Sequence, residues 1–353
     1  MKFAMYRLTF LALLLAPAVA VAQPVPGADW VQSSPQEAGW SAALMVEARD
    51  YAQLIGTASL LVVQHGHVVD GLGDPSRRLE LHSVRKSLLS ALIGIAVGER
   101  RIDLDSTLAR LGIDDVPPSL TTEEKQATVR ELLESRSGVY HVALYETPGE
   151  RAGRPQRGSH KPGTFWYYNN WDFNALGTIY EHAVERSIFS TFLTEIAQPI
   201  GMQDYRVTDG RYVTGPESSI PAYPFHMSAR DLARFALLYL HGGRWGARQV
   251  VPELWVREST TPRSETHIGS GYAYLWWTGL EGQGVPVMGL PPGAFWADGA
   301  AGQFVVVDPA DDLVVVHQTD GTTVPRRQFG HVMWLIRRAA HAADPGPDPV
   351  YSR

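Results

Sequence analysis

The feature that most constrains this chain is a serine and a lysine three residues apart at the start of an apolar helical segment. Ser83 and Lys86 open a stretch whose apolar residues recur at helical spacing and which closes at Gly98. Side chains three positions apart on a helix share one face, with Cβ atoms roughly 5–6 Å apart. The spacing therefore predicts that a hydroxyl and an amine are neighbours in a dry interior.

This pair has the chemistry of an activated nucleophile. A serine hydroxyl attacks a carbonyl poorly until an adjacent base removes its proton. Burial and the positive end of the helix dipole both disfavour the ammonium form of Lys86, which favours its use as that base. The alternative interpretation is a helix-capping serine followed by a surface lysine, and the short motif alone does not exclude it.

A second fragment, Tyr168-Asn169-Asn170, follows about eighty residues later in the stretch PGTFWYYNNWDFNALG. It offers a phenol and an amide that would complete a serine acyl-transfer site whose base system is lysine and tyrosine. The alternative is an aromatic-rich turn that packs against the edge of a core. No G-x-S-x-G motif is present, so the nucleophile elbow of α/β-hydrolases is not indicated.

These fragments resemble the serine β-lactamase and penicillin-recognising superfamily. HSVRKSLLSALIGIAVGE is similar to the nucleophile helix of its class C-like branch, which includes family VIII esterases, D-aminopeptidases and 6-aminohexanoate-dimer hydrolases. The second fragment resembles that branch's PGT-x-x-x-Y-S-N turn, with Asn169 where serine is usual. Three later blocks follow in the same order, SARDLARFALLYLHGGRW, GYAYLWW and GQFVVVDPADDLVVV, so the resemblance covers nearly all of the mature chain.

The resemblance implies a role for each catalytic candidate. Ser83 would attack the carbonyl carbon and Lys86 would take its proton. Tyr168 would relay a proton to the leaving group and later activate the deacylating water, while Asn170 would hold Lys86 or the acyl amide of the substrate.

The third motif of the family is where this chain departs from the pattern. Many relatives carry Lys-Thr-Gly or His-Thr-Gly on the strand that edges the site, and here the matching stretch is residues 297–303, with Asp298 and no cation. A carboxylate in a low-dielectric cleft repels an anionic ligand, so penicillins and D-Ala-D-Ala peptides are expected to be poor substrates unless an arginine elsewhere replaces the lysine. Gly299 or Ala300 is expected to supply one oxyanion-hole amide beside that of Ser83, although a plain bulge or tight turn is the alternative.

The predicted fold class is α/β in the α+β sense, an antiparallel sheet flanked by helices with an inserted, mostly helical lobe. The predicted layout is a signal peptide at 1–22, one catalytic domain at 23–343 and a loose tail at 344–353. Within the domain, the main lobe covers about 30–100 and 222–343, and the inserted lobe about 101–221. The first predicted helix is opened by a capping box at Ser34 and ends near Leu54. Further helices are predicted from Ser228 to Leu240 and from Arg326 to Ala343. The predicted strands are Ser59–Val63, His67–Val69, Gly271–Trp277, Gln303–Val307 and Leu313–His317.

The leader predicts a periplasmic or secreted protein. Lys2 and Arg7 precede an apolar run too short to span a bilayer, and Ala20-Val21-Ala22 forms an A-x-A cleavage site before Gln23. An uncleaved membrane anchor is the alternative.

Removal of the leader changes the formal net charge from −6 to −8, and no basic arrangement suited to nucleic acid is present. The chain has no cysteine and no His-Glu-x-x-His, so we expect no metal and no cofactor.

The predicted function is a serine hydrolase that cleaves esters or linear amides, with esters ahead because they need less leaving-group protonation. A binding or sensor protein with little turnover, or a weak β-lactamase or D,D-peptidase, is the alternative.

Tryptophans near the motifs are candidates for an apolar acyl pocket: Trp166, Trp171, Trp276, Trp277 and Trp296. The loop arginines Arg151, Arg154 and Arg157 could attract an anion but are expected to face solvent. The sequence leaves the oligomeric state open.

Overall fold

The computed structural model describes residues 25–266, 268–280, 283–340 and 348–350. The predicted signal peptide, most of the predicted tail and the last residues of the final helix prediction lie outside these ranges. No helix within the described ranges is long and apolar enough to cross a membrane.

The described chain contains both helices and strands. The helices are α1 (Ala42–Leu54), α2 (Arg85–Gly98), α3 (Leu108–Leu111), α4 (Val129–Leu133), α5 (Pro148–Gly153), α6 (Asn170–Val184), α7 (Ile188–Phe192), α8 (Ala229–Leu240), α9 (Glu253–Thr260) and α10 (Arg326–Ala339). The strands are β1 (Thr57–Gln64), β2 (His67–Gly73), β3 (Leu79–Glu80), β4 (Val213–Gly215), β5 (Ser218–Ala222), β6 (His226–Met227), β7 (Arg244–Trp245), β8 (Arg248–Gln249), β9 (Ser264–Glu265), β10 (Gly271–Tyr272), β11 (Trp277–Thr278), β12 (Phe295–Gly299), β13 (Gln303–Asp308) and β14 (Leu313–Thr319). The helices α2 to α7 follow one another without a strand between them.

One antiparallel sheet organises the fold, with strand order β2-β1-β14-β13-β12-β11-β10-β9. The chain enters the sheet through β1 and β2 and returns to it only after residue 263, so the sheet joins the two ends of the sequence. β13 and β14 are buried along their whole length, which is expected when helices cover both faces of a sheet. α1 and α10 pack together, and α8 packs on β13 and β14. The predicted fold class is confirmed.

The segment from 101 to 221 contributes no strand to the central sheet. It holds α3 to α7 and the hairpin of β4 and β5, and α6 of this segment packs against α2. This placement brings the Tyr168 fragment against the Ser83 fragment. The predicted lobe boundaries themselves stay a prediction.

α2 is buried on nearly every side. Its apolar residues Leu88, Leu89 and Leu92 have no exposed surface, and its hydroxyls Ser87 and Ser90 donate to the carbonyls of Leu275 and Tyr274 at 2.8 Å. A helix that is apolar around most of its circumference is stable only inside a core. Burial of α2 therefore fixes the position of whatever side chains stand at its first turn.

Two element predictions need correction. The Ser34 capping box forms, with the hydroxyl 2.8 Å from the Glu37 carboxylate, but it closes a turn that ends at Gly39 with φ +76°, and α1 starts only at Ala42. The predicted strand Gly271–Trp277 is two short strands, because Leu275 adopts φ +64° and reverses the chain. The strands predicted for β1, β2, β13 and β14 and the helix after Ser228 are confirmed within a few residues.

Candidate active site

Ser83 lies in a single helical turn, His82–Val84, that leads directly into α2. Lys86 occupies the first turn of α2, is almost completely buried, and places Nζ 2.9 Å from Ser83 Oγ. The preceding residue, His82, has φ +48° and directs its ring toward the Tyr145 hydroxyl, 3.3 Å away. The local backbone therefore presents the serine and the lysine to each other, as the three-residue spacing predicts.

Tyr168 completes the group from the other side. Its hydroxyl lies 2.7 Å from Lys86 Nζ, so the amine bridges the serine and the tyrosine. Asn169 is the N-cap of α6, and its side chain accepts from the Trp171 amide at 3.2 Å and donates to the Val139 carbonyl at 2.6 Å. The Asn169 side chain therefore caps α6 and also holds the loop at Val139 by a hydrogen bond.

The electrostatics of this group suit proton transfer. Burial lowers the pKa of Lys86 well below its ordinary value, and the adjacent Arg85 cation acts in the same direction. Glu150, Asp298 and Glu146 oppose that lowering. Burial raises the pKa of Tyr168, so the phenol keeps its proton at neutral pH. Burial therefore favours the uncharged forms of the Lys86 amine and the Tyr168 phenol, which lie within hydrogen-bond distance of each other.

Asn170 is the first residue of α6 and is 2% exposed. Its Nδ2 has no well-formed hydrogen bond to another protein group. The nearest partner of the amide is the Glu150 carboxylate, whose pKa Asn170 helps to lower, and Asn170 is not among the residues that line the cavity. Its predicted role at the substrate stays a prediction.

Glu150 is a site residue that the sequence did not single out. It stands in the first turn of α5, where its carboxylate accepts from the Thr147 amide and hydroxyl at 2.7 and 2.8 Å, and it lines the same cavity as Ser83. Burial raises the pKa of Glu150, but attraction to Lys86, the Thr147 hydrogen bonds and the nearby Asn170 amide outweigh burial and leave the pKa lowered. The pattern Thr147-Pro148-x-Glu150 signals a capping box, but nothing local places this loop over the nucleophile.

Asp298 lies near the end of β12 and lines the cavity, where it forms an ion pair with Arg326 at the start of α10. Burial raises the pKa of Asp298, and Arg326 opposes the rise. The guanidinium also lies over the Trp277 ring, 5.3 Å from its centroid. The charge of Arg326 is therefore engaged by the neighbouring Asp298 carboxylate.

The end of β12 approaches the nucleophile closely at Gly299. A Cβ atom on this residue would lie 2.4 Å from the Leu81 carbonyl oxygen and 3.3 Å from the Ser83 nitrogen. Only glycine permits that approach, and the next residue, Ala300, lines the cavity. The end of β12 therefore lies beside the main chain of Ser83, and Ser83 and Ala300 line the same cavity.

The cavity at this point has a volume of about 960 Å³. Of the tryptophans named from the sequence, Trp166 and Trp277 line it. Trp171 instead lies in the core, donating from Nε1 to Asp115 at 2.7 Å. Trp296 is fully buried and stacks on its cross-strand partner Trp277, with ring centroids 6.2 Å apart. The remaining candidate, Trp276, packs against Phe295 in the core.

The comparisons with known proteins agree with this arrangement. The family model described as Beta-lactamase matches residues 42–332. Similar solved structures include a protein from Bacillus anthracis provisionally named 6-aminohexanoate-dimer hydrolase, with 22% identity, coverage of 83% of this chain and 81% of that one, and a TM-score of 0.64. A penicillin-binding protein homolog from Caulobacter crescentus has 17% identity, coverage of 82% and 95%, and a TM-score of 0.60. The octameric penicillin-binding protein homologue from Pyrococcus abyssi has 16% identity, coverage of 87% and 78%, and a TM-score of 0.60.

Fold and site define a protein of the serine β-lactamase and penicillin-recognising class, in which a serine at the start of a buried helix is the nucleophile. Because the family model spans most of the sequence, the chain belongs to the Beta-lactamase family and is in general terms a serine hydrolase. No curated protein sequence matches it significantly.

Proposed function

We propose that this protein cleaves carboxylic esters or linear amides through a covalent acyl-enzyme on Ser83. The observation that carries the proposal is the position of Lys86 Nζ, 2.9 Å from the Ser83 hydroxyl and 2.7 Å from the Tyr168 hydroxyl. Both distances are within the reach that proton transfer requires. Burial lowers the pKa of Lys86, which favours its use as the base between these two hydroxyl groups.

Acylation begins when Ser83 Oγ attacks the substrate carbonyl carbon and its proton passes to the neutral Lys86 amine. The carbonyl oxygen becomes an oxyanion, which the backbone N–H of Ser83 and that of Ala300 stabilise. The bond to the leaving group then breaks, and the Tyr168 hydroxyl donates the proton that this group needs, with Lys86 restoring the proton of Tyr168.

Deacylation repeats these transfers with water. A water molecule attacks the acyl carbon, its proton passes to the Lys86–Tyr168 pair, and Ser83 leaves with a proton returned from Lys86. The burial that lowers the pKa of Lys86 serves both halves of the cycle, because the amine must start each half without its proton.

Substrate preference follows from the leaving group and from charge. An ester alkoxide needs less protonation than an amine, so esters are the best substrates in this proposal and linear amides the next. Glu150 disfavours ligands with a carboxylate, and Arg326, the nearby cation, is engaged by Asp298, so β-lactams and D,D-peptides come third in this proposal. We further propose that the mature enzyme works in the periplasm or outside the cell, on the basis of the leader sequence.

The test is labelling of the mature protein with a fluorophosphonate, followed by intact mass spectrometry and peptide mapping. Ser83→Ala is the decisive variant, and Ser119→Ala, at an exposed serine, is the matched control. We expect one adduct on Ser83, absent only from Ser83→Ala, together with hydrolysis of p-nitrophenyl esters that this variant loses. No adduct on folded protein would overturn the proposal. An adduct without turnover of esters or amides would instead identify a binding or sensor protein.

A further inference from the structure

The charges that line the cavity do not balance. Among its described lining residues are three carboxylates, Glu150, Glu265 and Asp298, and two guanidiniums, Arg136 and Arg326. Asp298 and Arg326 neutralise each other as an ion pair. Two acidic groups and one arginine are left for a ligand to meet.

The remaining arginine is not directed at a ligand. Arg136 donates from Nε and from one terminal nitrogen to the Gly163 carbonyl at 3.0 and 2.8 Å, and its other terminal nitrogen donates to the Ser264 hydroxyl at 3.0 Å. A guanidinium that is fixed in this way holds a loop in place. In the loop above the site, Arg154 pairs with Glu146 and Arg157 pairs with Glu124, while the exposed Arg151 lies 4.0 Å from the Glu146 carboxylate and does not line the cavity.

Glu150 is the carboxylate best placed to meet a cation. It lines the cavity together with Ser83 and Tyr168, and its hydrogen bonds to Thr147 hold it in position. Lys86 is the nearest positive group in electrostatic terms, but it has to be uncharged when it acts as the base. In the reactive state, therefore, the charge of Glu150 faces the cavity without an ammonium partner.

The remaining wall is aromatic. Phe165, Trp166, Tyr167, Tyr168 and Trp277 line the cavity. One of these rings already faces a cation, since the Arg326 guanidinium lies 5.3 Å from the Trp277 ring centroid. Aromatic faces combined with a carboxylate form the environment in which ammonium and quaternary ammonium groups are bound.

We propose that the substrate carries a cationic nitrogen close to the scissile ester or amide bond, held by the Glu150 carboxylate and the aromatic wall. The inference rests on the proposed hydrolase function and names its substrate class. A cationic residue on the edge strand would favour anionic substrates, whereas this site favours cationic ones. The two arginines that line the cavity, Arg136 and Arg326, are already engaged by Ser264 and Asp298.

Paired esters test the charge directly on both sides of the scissile bond. Butyrylcholine and its carbon isostere, in which a quaternary carbon replaces the nitrogen, place the charge in the leaving group. The p-nitrophenyl ester of γ-butyrobetaine and its carbon isostere place it in the acyl group. Hydrolysis is followed by pH-stat or by nitrophenol absorbance, and the readout is the ratio of kcat/KM for the cationic ester to that for its isostere.

We expect a ratio of about ten or more for at least one pair, the factor that a desolvated cation–π and carboxylate site gives. Glu150→Gln should reduce that ratio at least fivefold, whereas the matched control Glu47→Gln, which removes the same charge from an exposed position on α1, should leave it unchanged. Because each ratio is taken within one variant, any change in Lys86 basicity cancels.

Ratios near one for both pairs in the wild-type enzyme would overturn the inference, and so would a high ratio that survives in Glu150→Gln. The wild-type ratios decide the first point even if the variant does not fold. Cleavage of the neutral esters without a cation preference would refute only this inference. Failure to cleave any ester, with no adduct on Ser83, would refute the proposed function instead.

Discussion

Replacing Asp298 by asparagine should make the enzyme accept substrates that carry a carboxylate. The wild-type carboxylate engages Arg326, so the guanidinium is unavailable to a ligand. Asparagine has nearly the same shape but no charge, and the substitution changes the charge of the cavity by one unit. The freed Arg326, at the start of α10, would then be available to bind the carboxylate of a substrate.

The structural cost of this substitution is small. The Asp298 side chain is 8% exposed, and burial raises its pKa despite the attraction of Arg326. A carboxyl group with a raised pKa in the folded state stabilises the fold only at low pH and loses that contribution as the pH rises, so the charged form is a burden at neutral pH. Arg326 is 38% exposed and can be solvated when its partner is lost. We therefore expect the free energy of unfolding to change by no more than about 1 kcal/mol.

The gain in binding follows from Coulomb's law. At an effective dielectric constant of 20, two charges about 5 Å apart interact by roughly 3 kcal/mol. The exposure of Arg326 reduces this by half or more, to about 1.4 kcal/mol, which is a factor of about ten in affinity.

The assay compares mono-p-nitrophenyl adipate with the same ester after methylation of its free carboxylate. In Asp298→Asn the KM of the anionic ester should fall about tenfold relative to that of the capped ester. Asp320→Asn, which breaks the surface pair with Arg77, is the matched control and should change neither value. An unchanged ratio in folded Asp298→Asn would mean that this ion pair does not face the substrate, and the charge argument for the cavity would fail with it.

Three further predictions concern the proton relay and the oxyanion hole. Loss of the Lys86 proton should set the acid limb of the pH profile of kcat/KM. Because Glu150 opposes the lowering of the Lys86 pKa, Glu150→Gln should move that limb to lower pH, whereas the control Glu47→Gln should not. An unmoved limb in Glu150→Gln would show that Glu150 does not act on Lys86. Lys86→Met should reduce kcat by at least about a thousandfold, while thermal melting shows equal or higher stability, because the lowered pKa of the buried Lys86 opposes folding at neutral pH. Near-normal turnover would disprove its role as base. Gly299→Ala should abolish ester hydrolysis, because the new Cβ would meet the Leu81 carbonyl at 2.4 Å and push the strand away from Ser83, and a folded, active variant would place the oxyanion hole elsewhere.

The catalytic group was predictable where its geometry is local. Ser83 and Lys86 meet because three residues separate them on one helical turn, and no tertiary information is needed to expect that. Tyr168 is a different case, since 82 residues separate it from Lys86; it was named because an ordered set of motifs resembles a known family. Asn170 was named in the same way, and the structure places its buried amide next to the Glu150 carboxylate, which the motif does not indicate.

The tryptophans show where sequence reasoning stops. Trp276 and Trp277 are adjacent, yet the first packs in the core and the second lines the cavity, because neighbouring residues of an extended segment point to opposite sides. Which side is the cavity depends on how the loop of residues 147–163 folds over the sheet, and the sequence carries no local signal for that. Even the element boundaries depend on single backbone conformations, such as the positive φ at Leu275 that divides one predicted strand into two.

The charge of the site was the least accessible property. Asp298 was visible in the sequence as a carboxylate in place of a cation, and taken alone it predicted simple repulsion of anions. Its partner, Arg326, lies 28 residues later in the sequence, at the start of α10. The ion pair forms only because the fold brings the start of α10 next to Asp298 on β12. Glu150 is separated from Lys86 by 64 positions and acts on it through space. The charge that a substrate meets therefore depends on which groups are paired across the fold, and the proposed cation site rests on Glu150, which lines the cavity together with Ser83.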